Sequence, residues 1–358
     1  MPYLVDFVIA VHDARRPIAR AVASVLAAGL DSERLRVTVV CHNIDREQIA
    51  AALGPELAGR VRLLELKDGI YSPAGPFTHG IEAADARFVS IMGSDDYLEP
   101  GALGAWAELA AQRGLDVVIP VQRHPSRAVI RNPVVRFRRV SPLDPLKDRL
   151  VYRTSPIGLI STALVRRAGL RLTAGVPTGE DQEFSIRLAL SGAAIGYAWG
   201  RPAYILGDDA ADRTTQARRP VDAEFDALLR MLRESWFAQF PLDDRRAVAV
   251  KYVRIHLLAF VRRRLDADDW TEAVRVDLAA LVARLDEAAP GFRGHLSIAD
   301  VRALRALAEG VPPAELHARV IARSRFGTPS TVLPSRIGAF FAADAPPRFI
   351  AASVLMSR

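Results

Sequence analysis

The segment Phe88-Val89-Ser90-Ile91-Met92-Gly93-Ser94-Asp95-Asp96 constrains the fold of this chain more than any other. Its first five residues are mostly apolar and β-prone, which predicts a strand that is covered on both faces. Open α/β sheets bind their ligands at the carboxyl ends of their strands. Two adjacent carboxylates at such an end repel each other and are costly to bury unpaired. A divalent cation such as Mg²⁺ or Mn²⁺ would relieve both costs, because these ions prefer oxygen ligands. The alternative is an ordinary acidic turn before a helix that starts at Glu99-Pro100.

Strands and helices alternate on both sides of this segment. Apolar and β-branched runs predict strands at 5–11, 36–41, 61–66 and 116–121, and helical stripes predict helices at 16–28, 48–53 and 100–113. Another helix is expected only after Pro76. This alternation predicts an α/β fold with parallel strands and right-handed crossovers. A glycine-rich dinucleotide fingerprint and a phosphate-binding loop are both missing from the sequence, so a nucleotide would be held through a metal.

Composition narrows the partners and the compartment. The net charge of +7 favours an anionic partner, namely a nucleotide, a phosphate or an acidic membrane surface. No basic-aromatic motif indicates nucleic-acid binding. Cys41 is the only cysteine, which excludes an internal disulfide and predicts a reducing, cytoplasmic location. We expect no zinc site, signal peptide or transmembrane helix, because the sequence has no zinc-ligand spacing, no basic-then-apolar start and no long apolar run.

The last third of the chain has a helical pattern throughout. Helices are predicted at 222–237, 242–264, 270–287, 298–309 and 313–324. We therefore expect two domains, an α/β domain over 1–215 and an all-helical domain over 216–358. The helical domain could dock an acceptor, form a homo-oligomer or rest on a membrane surface.

Three features in order resemble a known family. Strand–helix–strand alternation comes first, then Gly93-Ser94-Asp95-Asp96 with Pro100 after it, and Gly179-Glu180-Asp181 opens a helix about 85 residues later. Over residues 5–206 this order resembles the family 2 glycosyltransferases, which have the GT-A fold. The resemblance implies a GT-A-like, Rossmann-type mixed sheet flanked by helices. It also implies a glycosyltransferase of the hexosyltransferase type that uses a nucleotide sugar and a divalent metal.

The resemblance assigns roles to residues of this chain. Asp95 and Asp96 would bind the metal and the diphosphate, while Asp181 would be the catalytic base with Glu180 beside it. The donor nucleotide sugar would contact residues at strand ends and in a closing loop, namely Ala10, His12, Asp13, Asn43, Ser94, Asp95 and Arg213. Each position has a structural alternative: a helix cap for Asp181 with Thr178, a polar loop for His12 and Asp13, and a charged linker for Arg213.

The chain also departs from the family pattern at four places, one of which is Phe77-Thr78 before His79-Gly80-Ile81, where the family commonly has Arg-Asn before Gly-Ile. Ala10 stands where the family usually has proline, and Cys41-His42-Asn43 stands where an aspartate reads the base. Gly93 replaces the first aspartate of the usual Asp-x-Asp. We expect a UDP-sugar as the donor.

The sequence as a whole predicts a metal-dependent inverting glycosyltransferase that works in the cytoplasm or at the inner face of the membrane. The acceptor would be a hydroxyl of a polysaccharide, a glycolipid or a cell-envelope precursor. One alternative is a degenerate, non-catalytic scaffold or sugar-binding subunit, which the departures at Gly93 and Cys41 suggest. A second is a nucleotidyltransferase, although residues 12–16 lack the glycines that such an enzyme needs after its first strand.

Overall fold

The computed structural model describes residues 3–208, 218–325 and 327–356, which fold as two compact units. The first, which we call the sheet unit, comprises Met1–Asn132, Arg138–Leu143 and Thr154–Ala217. The second, which we call the helical unit, comprises Pro133–Phe137, Asp144–Arg153 and Arg218–Arg358. Two short segments between 133 and 153 thus join the helical unit.

A seven-stranded sheet forms the centre of the sheet unit, with the strand order β10-β6-β9-β4-β1-β2-β3. Its strands are β1 (Val5–Val11), β2 (Leu35–His42), β3 (Arg62–Leu66), β4 (Phe88–Gly93), β6 (Val117–Ile119), β9 (Leu159–Ser161) and β10 (Ile195–Tyr197). All pair in parallel except β9, which is antiparallel to both β4 and β6. The predicted mixed sheet is confirmed, and the expectation of parallel pairing throughout is wrong at β9.

A smaller four-stranded sheet has the order β5-β11-β7-β8. It consists of β5 (Tyr97–Leu98), β7 (Gln122–Arg123), β8 (Val129–Ile130) and β11 (Tyr204–Ile205). The helices of the sheet unit are α1 (Ile18–Leu26), α2 (Arg46–Ala58), α3 (Ala74–Glu82), α4 (Ala102–Arg113), α5 (Thr162–Arg167) and α6 (Gln182–Ala189). Because β5 directly follows the segment after β4, the smaller sheet is joined to the carboxyl end of that strand.

Two helix boundaries differ from the predicted ones. Helix α3 begins at Ala74, before Pro76, because proline is tolerated in the first turn of a helix. Helix α2 continues past Leu53 across a kink at Gly54, whose φ of 75° lies in the region that favours glycine. Neither difference moves the strands.

The central strands are covered on both faces, as predicted. On β1, Val5, Phe7, Val8 and Ile9 are fully buried. Helix α3 packs so closely that a Cβ at Gly80 would lie 2.2 Å from the Val8 Cγ1 atom. A side chain at residue 80 would therefore push α3 away from β1.

A buried charged cluster ties the amino ends of the strands together. Asp6, the second residue of β1, is fully buried and accepts hydrogen bonds from Arg36 Nε at 2.9 Å and Thr38 Oγ1 at 2.8 Å. Arg62 Nη2 lies 3.4 Å from the same carboxylate. Because its partners satisfy it, this carboxylate stabilises the end of the sheet away from the carboxyl edge.

The helical unit contains only helices, turns and loops among its described residues. Its α-helices are α7 (Val221–Glu224), α8 (Asp226–Met231), α9 (Ser235–Gln239), α10 (Leu242–Lys251), α11 (Leu258–Asp266), α12 (Glu272–Ala288), α13 (Ile298–Glu309), α14 (Pro313–Ala322), α15 (Pro329–Val332) and α16 (Pro346–Leu355). The predicted helix at 222–237 is three short helices, and a π-helical turn at Tyr252–Leu257 interrupts the one predicted at 242–264. Across the described part of the chain, no helix is both long and apolar enough to cross a membrane.

Candidate active site

The carboxyl ends of β1, β2 and β4 lie side by side. Across the parallel pairs, Ala10 of β1 is opposite Val40 of β2 on one side and Gly93 of β4 on the other. The chain proceeds from β1 to β2 and β3 in one direction and returns to add β4 on the other side of β1. Such a reversal of strand order opens a crevice at the carboxyl edge, where open α/β sheets bind ligands.

Asp95 follows the carboxyl end of β4 and pairs with a cation from the segment after β1. Its Oδ2 atom is 3.0 Å from the Arg16 Nη2 atom, and both side chains are partly buried. Arg16 Nε also donates to the Oγ of buried Ser94 at 3.0 Å. Arg20 of α1 hydrogen-bonds the Asp95 carbonyl oxygen and stacks over the Tyr97 ring at 4.9 Å. Two arginines that the sequence analysis did not single out therefore hold this turn.

The neighbouring carboxylate of Asp96 has a different environment. Its Oδ2 accepts from the hydroxyl of buried Tyr204 at 2.5 Å, and its Oδ1 accepts from the Gly207 backbone N–H at 2.8 Å. Burial raises the pKa of Asp96 to about 6, although the two hydrogen bonds oppose the shift. Asp96 thus ties the end of β4 to β11 and to the chain that follows β11.

The two carboxylates differ in their fitness as ligands for a metal. Among residues 3–208, 218–325 and 327–356, no three His, Cys, Asp or Glu side chains are grouped as a metal site. Asp96 has both oxygens occupied, so Asp95 is the better donor. Magnesium and manganese sites that bind nucleotides often take only one or two protein carboxylates, with phosphates and water as the other ligands. Asp95 fits that arrangement as a single protein ligand.

Gly93 leaves room for the Asp95 side chain. A Cβ at residue 93 would lie 2.9 Å from Asp95 Oδ1 and 3.5 Å from Asp96 Oδ2. The missing first aspartate of the family motif is therefore compatible with the present rotamer of Asp95, whereas a side chain there is not.

The predicted donor-binding residues after β1 are placed at the same edge. Asp13 is held by Arg15, whose Nε lies 3.0 Å from Oδ1 and whose backbone N–H lies 2.8 Å from it. The Arg15 hydrogen bonds hold the pKa of Asp13 well below its usual range. His12 is exposed, so it is accessible to a ligand in the crevice.

A polar network at the ends of β2 and β3 includes a residue that the sequence analysis missed. Asp68 Oδ1 lies 2.9 Å from His42 Nε2 and 3.3 Å from Asn43 Nδ2. Burial alone would raise the pKa of Asp68, but hydrogen bonds from the Ile70 N–H and from His42 lower it. Asp68 follows strand β3, and a carboxylate directly after a strand was the available signal in Lys67-Asp68-Gly69. It supplies a carboxylate beside the position where the family aspartate is replaced.

Asp181 is positioned by a serine and not by a helix cap. Asp181 Oδ2 accepts a hydrogen bond from Ser155 Oγ at 2.6 Å. Although Asp181 directly precedes α6, its side chain accepts no capping bond from the described backbone of that helix. The Asp181 side chain thus does not cap α6 from the N-cap position, and the alternative pairing with Thr178 stays a prediction.

The antiparallel strand β9 determines where Ser155 lies. Ser161 pairs with Phe88 and Ile160 with Val89, so the residues before β9 extend towards the carboxyl end of β4. Ser155 precedes Ser161 by as many residues as Ser94 follows Phe88. The pairing sends the chain before β9 towards that edge, while the convergence of Ser155 and Asp181 with Asp95 stays a prediction.

The remaining predicted residues are less informative. Glu180 is partly buried, and its carbonyl accepts from the Thr173 N–H at 2.8 Å. Arg213 lies outside the described residues.

Comparison with known proteins agrees with this geometry. Residues 6–172 match the family model described as glycosyl transferase family 2. The succinoglycan biosynthesis protein ExoU of Rhizobium meliloti (strain 1021) is 26% identical over 243 residues, which are 62% of this chain and 69% of ExoU. The poly(ribitol-phosphate) beta-N-acetylglucosaminyltransferase TarS of Staphylococcus aureus (strain Mu50 / ATCC 700699) is 24% identical over 192 residues. That match spans 52% of this chain and 33% of TarS.

The fold is shared with a solved structure. S. aureus TarS 1-349 in complex with UDP-GlcNAc superimposes with a TM-score of 0.70 at 16% identity, covering 90% of this chain and 92% of that one. The same fragment in complex with UDP gives a TM-score of 0.65. The predicted GT-A-like fold and the predicted enzyme class are thus confirmed. Residues 6–172, a little under half of the chain, are the part that matches glycosyl transferase family 2, the family that the sequence features resemble.

Proposed function

We propose that this protein transfers a sugar from a nucleotide-diphosphate donor to an acceptor hydroxyl of a polysaccharide, a glycolipid or a cell-envelope precursor. The observation that carries the proposal is the position of Asp95 at the carboxyl end of β4, beside the point where strand order reverses. We further propose a UDP-sugar as donor, since TarS structures are described with UDP-GlcNAc and with UDP. Succinoglycan biosynthesis, named for ExoU, supports a polysaccharide acceptor.

The leaving diphosphate would be neutralised at Asp95 and Arg16. A divalent metal held by Asp95 would supply Lewis-acid stabilisation of the leaving group when bound. Arg16 lies within hydrogen-bond distance of Asp95 and Ser94, so its guanidinium can turn from the carboxylate to a phosphate oxygen. Arginine suits this exchange because its planar fork binds carboxylates and phosphates in the same geometry.

Asp181 would remove the proton from the acceptor hydroxyl. The Ser155 hydroxyl donates to Asp181 Oδ2, and Gln182 Nε2 lies 3.4 Å from Oδ1, so both neighbours orient the carboxylate that would accept the proton. A single base of this kind is typical of inversion at the anomeric carbon, in which the acceptor attacks from the face opposite the diphosphate. Glu180 would orient Asp181 or stay solvated.

The nucleoside would lie over the ends of β1 and β2, where His12, Asp13 and Asn43 are placed. Asn43 accepts from the Gly69 N–H at 2.9 Å, which links the end of β2 to the segment that carries Asp68. This polar network would read the base in place of the family aspartate. We propose a cytoplasmic site of action, which the buried free thiol of Cys41 supports.

The test is release of nucleoside diphosphate from a panel of nucleotide sugars, with Mn²⁺, Mg²⁺ or a chelator and with candidate glycan acceptors. Metal-dependent release that Asp95→Asn and Asp181→Asn each abolish is the expected result. Thermal unfolding of both variants controls for folding. Full activity in either folded variant would overturn the residue assignment. A chain that binds a nucleoside diphosphate yet turns over no donor would instead be a sugar-binding scaffold, which the Gly93 departure favours.

A further inference from the structure

A surface loop in the helical unit, fixed by hydrogen bonds at Ser335, presents two large apolar side chains to solvent. Ile337 is 86% exposed and Phe341 is 82% exposed, and Leu333 nearby is 37% exposed. We call residues 333–341 the apolar loop. It connects α15 to α16 and includes a short 3₁₀ turn at Ile337–Ala339.

The apolar loop is anchored by its backbone. The Ser335 N–H donates to the Leu296 carbonyl at 2.8 Å, and its hydroxyl donates to the Arg293 carbonyl at 2.6 Å. Pro334 and Ser297 form an isolated antiparallel β-bridge. Although the backbone is fixed at Ser335, the side chains of Ile337 and Phe341 face the solvent. An exposed pair of this size in a held loop indicates a partner surface.

The charge along the apolar loop and the chain that flanks it is positive, and the exposed acid Asp243 on α10 is paired with Arg246 at 3.0 Å. Arg336 is exposed within it, and Arg348 is exposed while its Nη1 donates to the Phe341 carbonyl at 2.7 Å. From Ser324 to Arg358 the sequence has four arginines and one acid, Asp344, which is 4% exposed. The nearby acid Asp286 is taken up by Arg293, whose Nε lies 2.9 Å from it. The apolar side chains are therefore flanked by cations without an exposed acid in the same stretch.

We propose that the apolar loop docks on an anionic lipid bilayer, with Ile337 and Phe341 entering the headgroup boundary and Arg336 and Arg348 facing lipid phosphates. Peripheral membrane binding needs both an apolar anchor and electrostatic attraction, and this loop supplies the two together. A second copy of the chain fits less well, because a two-fold contact would set each Arg336 against the same cationic loop of its partner. The inference does not rest on the proposed transfer reaction.

The experiment is co-sedimentation of the full chain with vesicles of phosphatidylcholine alone or mixed with phosphatidylglycerol. We expect the protein to bind the mixed vesicles, and to bind them less tightly as salt is added. Binding to vesicles of phosphatidylcholine alone should be weaker. The double variant Ile337→Ser/Phe341→Ser should lose at least about tenfold in apparent affinity. Each substitution removes an apolar side chain that would be buried in the membrane when the protein docks. Arg336→Gln should weaken binding to the mixed vesicles selectively.

Val276→Ser is the matched control, because Val276 is an apolar residue of the same unit that is 48% exposed on α12. It should bind like the wild type. Equal binding by the double variant and the wild type, or no binding by the wild type, would overturn the proposal. A second contradicting result would be that the wild type forms a concentration-dependent oligomer in light scattering, that the double variant does not form it, and that neither protein binds vesicles. Unfolding temperatures of all variants, and turnover of a water-soluble acceptor, show whether a loss concerns docking or folding and catalysis.

Discussion

The guanidinium of Arg16 lies 3.0 Å from the carboxylate of Asp95, across the crevice between the ends of β1 and β4. The pair joins the segment that follows the first strand to the turn that follows the fourth. A carboxylate that is partly buried among arginines is ready to accept either a metal ion or the guanidinium itself, and the cation can move to an incoming phosphate. The predictions below test what this pair and its neighbours do.

Removing the Arg16 charge should weaken diphosphate binding. We expect Arg16→Gln to raise the Kd of UDP by about tenfold or more, because a charge-assisted contact to phosphate is lost. Calorimetric titration with and without Mn²⁺ measures this. Arg60→Gln is the matched control, since Arg60 is an exposed arginine of the same unit that the proposed site does not include. Equal losses in the two variants would mean that only the general positive charge matters.

A methyl group at residue 93 should impair the site without removing any functional group. In Gly93→Ala the new Cβ would lie 2.9 Å from Asp95 Oδ1, so the carboxylate must rotate and its geometry towards Arg16 must change. We expect weaker binding of UDP with Mn²⁺ and a loss of about 1–3 kcal/mol in the free energy of unfolding at most. Gly59→Ala offers a comparison, since Gly59 has a φ of −70° and a Cβ there would come no closer than 3.4 Å to another residue. Unchanged affinity in Gly93→Ala would show that Asp95 adapts freely.

The base and its positioning serine should differ in effect. Asp181→Asn should lower kcat by about 10²–10⁴, as expected for loss of a general base. Ser155→Ala removes the donor at 2.6 Å and should lower kcat by less, about tenfold, with KM for the donor unchanged. Steady-state kinetics with the best donor measures both. Comparable kcat for Asp181→Asn and the wild type would rule out Asp181 as the base.

A histidine of the helical unit should make stability depend on pH. Burial lowers the pKa of His256 to about 3, with Lys251 and Arg263 adding to the shift, and its buried Nε2 has no hydrogen-bond partner among the described residues. The unfolded chain therefore binds the proton first as the pH falls below about 6.5. Each further unit of pH should cost at most about 1.4 kcal/mol of stability. Titration of His256 therefore leaves the free energy of unfolding unchanged above about pH 6.5 and lowers it as the pH falls towards 3.

Urea unfolding of the wild type and His256→Phe at several pH values measures the effect. The difference between the two proteins, and not either curve alone, reports on His256, because carboxylates also titrate in this range. We expect the variant to lose less stability than the wild type between pH 7 and pH 5. Parallel curves would show that the imidazole keeps its ordinary affinity for protons in the folded chain.

Much of the fold follows from local pattern. The run at 88–92 predicted β4 and the alternation around it predicted β1, β2 and β3, because buried parallel strands have continuous apolar sequences. The direction of β9 could not be predicted, since a short apolar run reads the same in a parallel and an antiparallel strand. Likewise, the apolar faces of the helix at 242–264 do not reveal its π-helical turn, which depends on packing.

The candidate site was predicted by residue type but not by contact. Asp95 was identified from its place after a strand, and Asp181 from the family resemblance of Gly179-Glu180-Asp181. Their partners, Arg16 and Ser155, are far away in sequence and are brought near only by the folded sheet. Asp68 was missed because a single aspartate in a charged loop has many structural explanations. Distances across the fold, and not composition, separate these cases.

The most direct measurement of the central claim is a crystal structure of the protein with UDP and Mn²⁺. The account predicts the diphosphate between the carboxyl ends of β1 and β4, a metal on Asp95, Arg16 turned to a phosphate, and Asp181 facing the same space. A nucleotide bound elsewhere, with Asp95 still paired to Arg16, would contradict it.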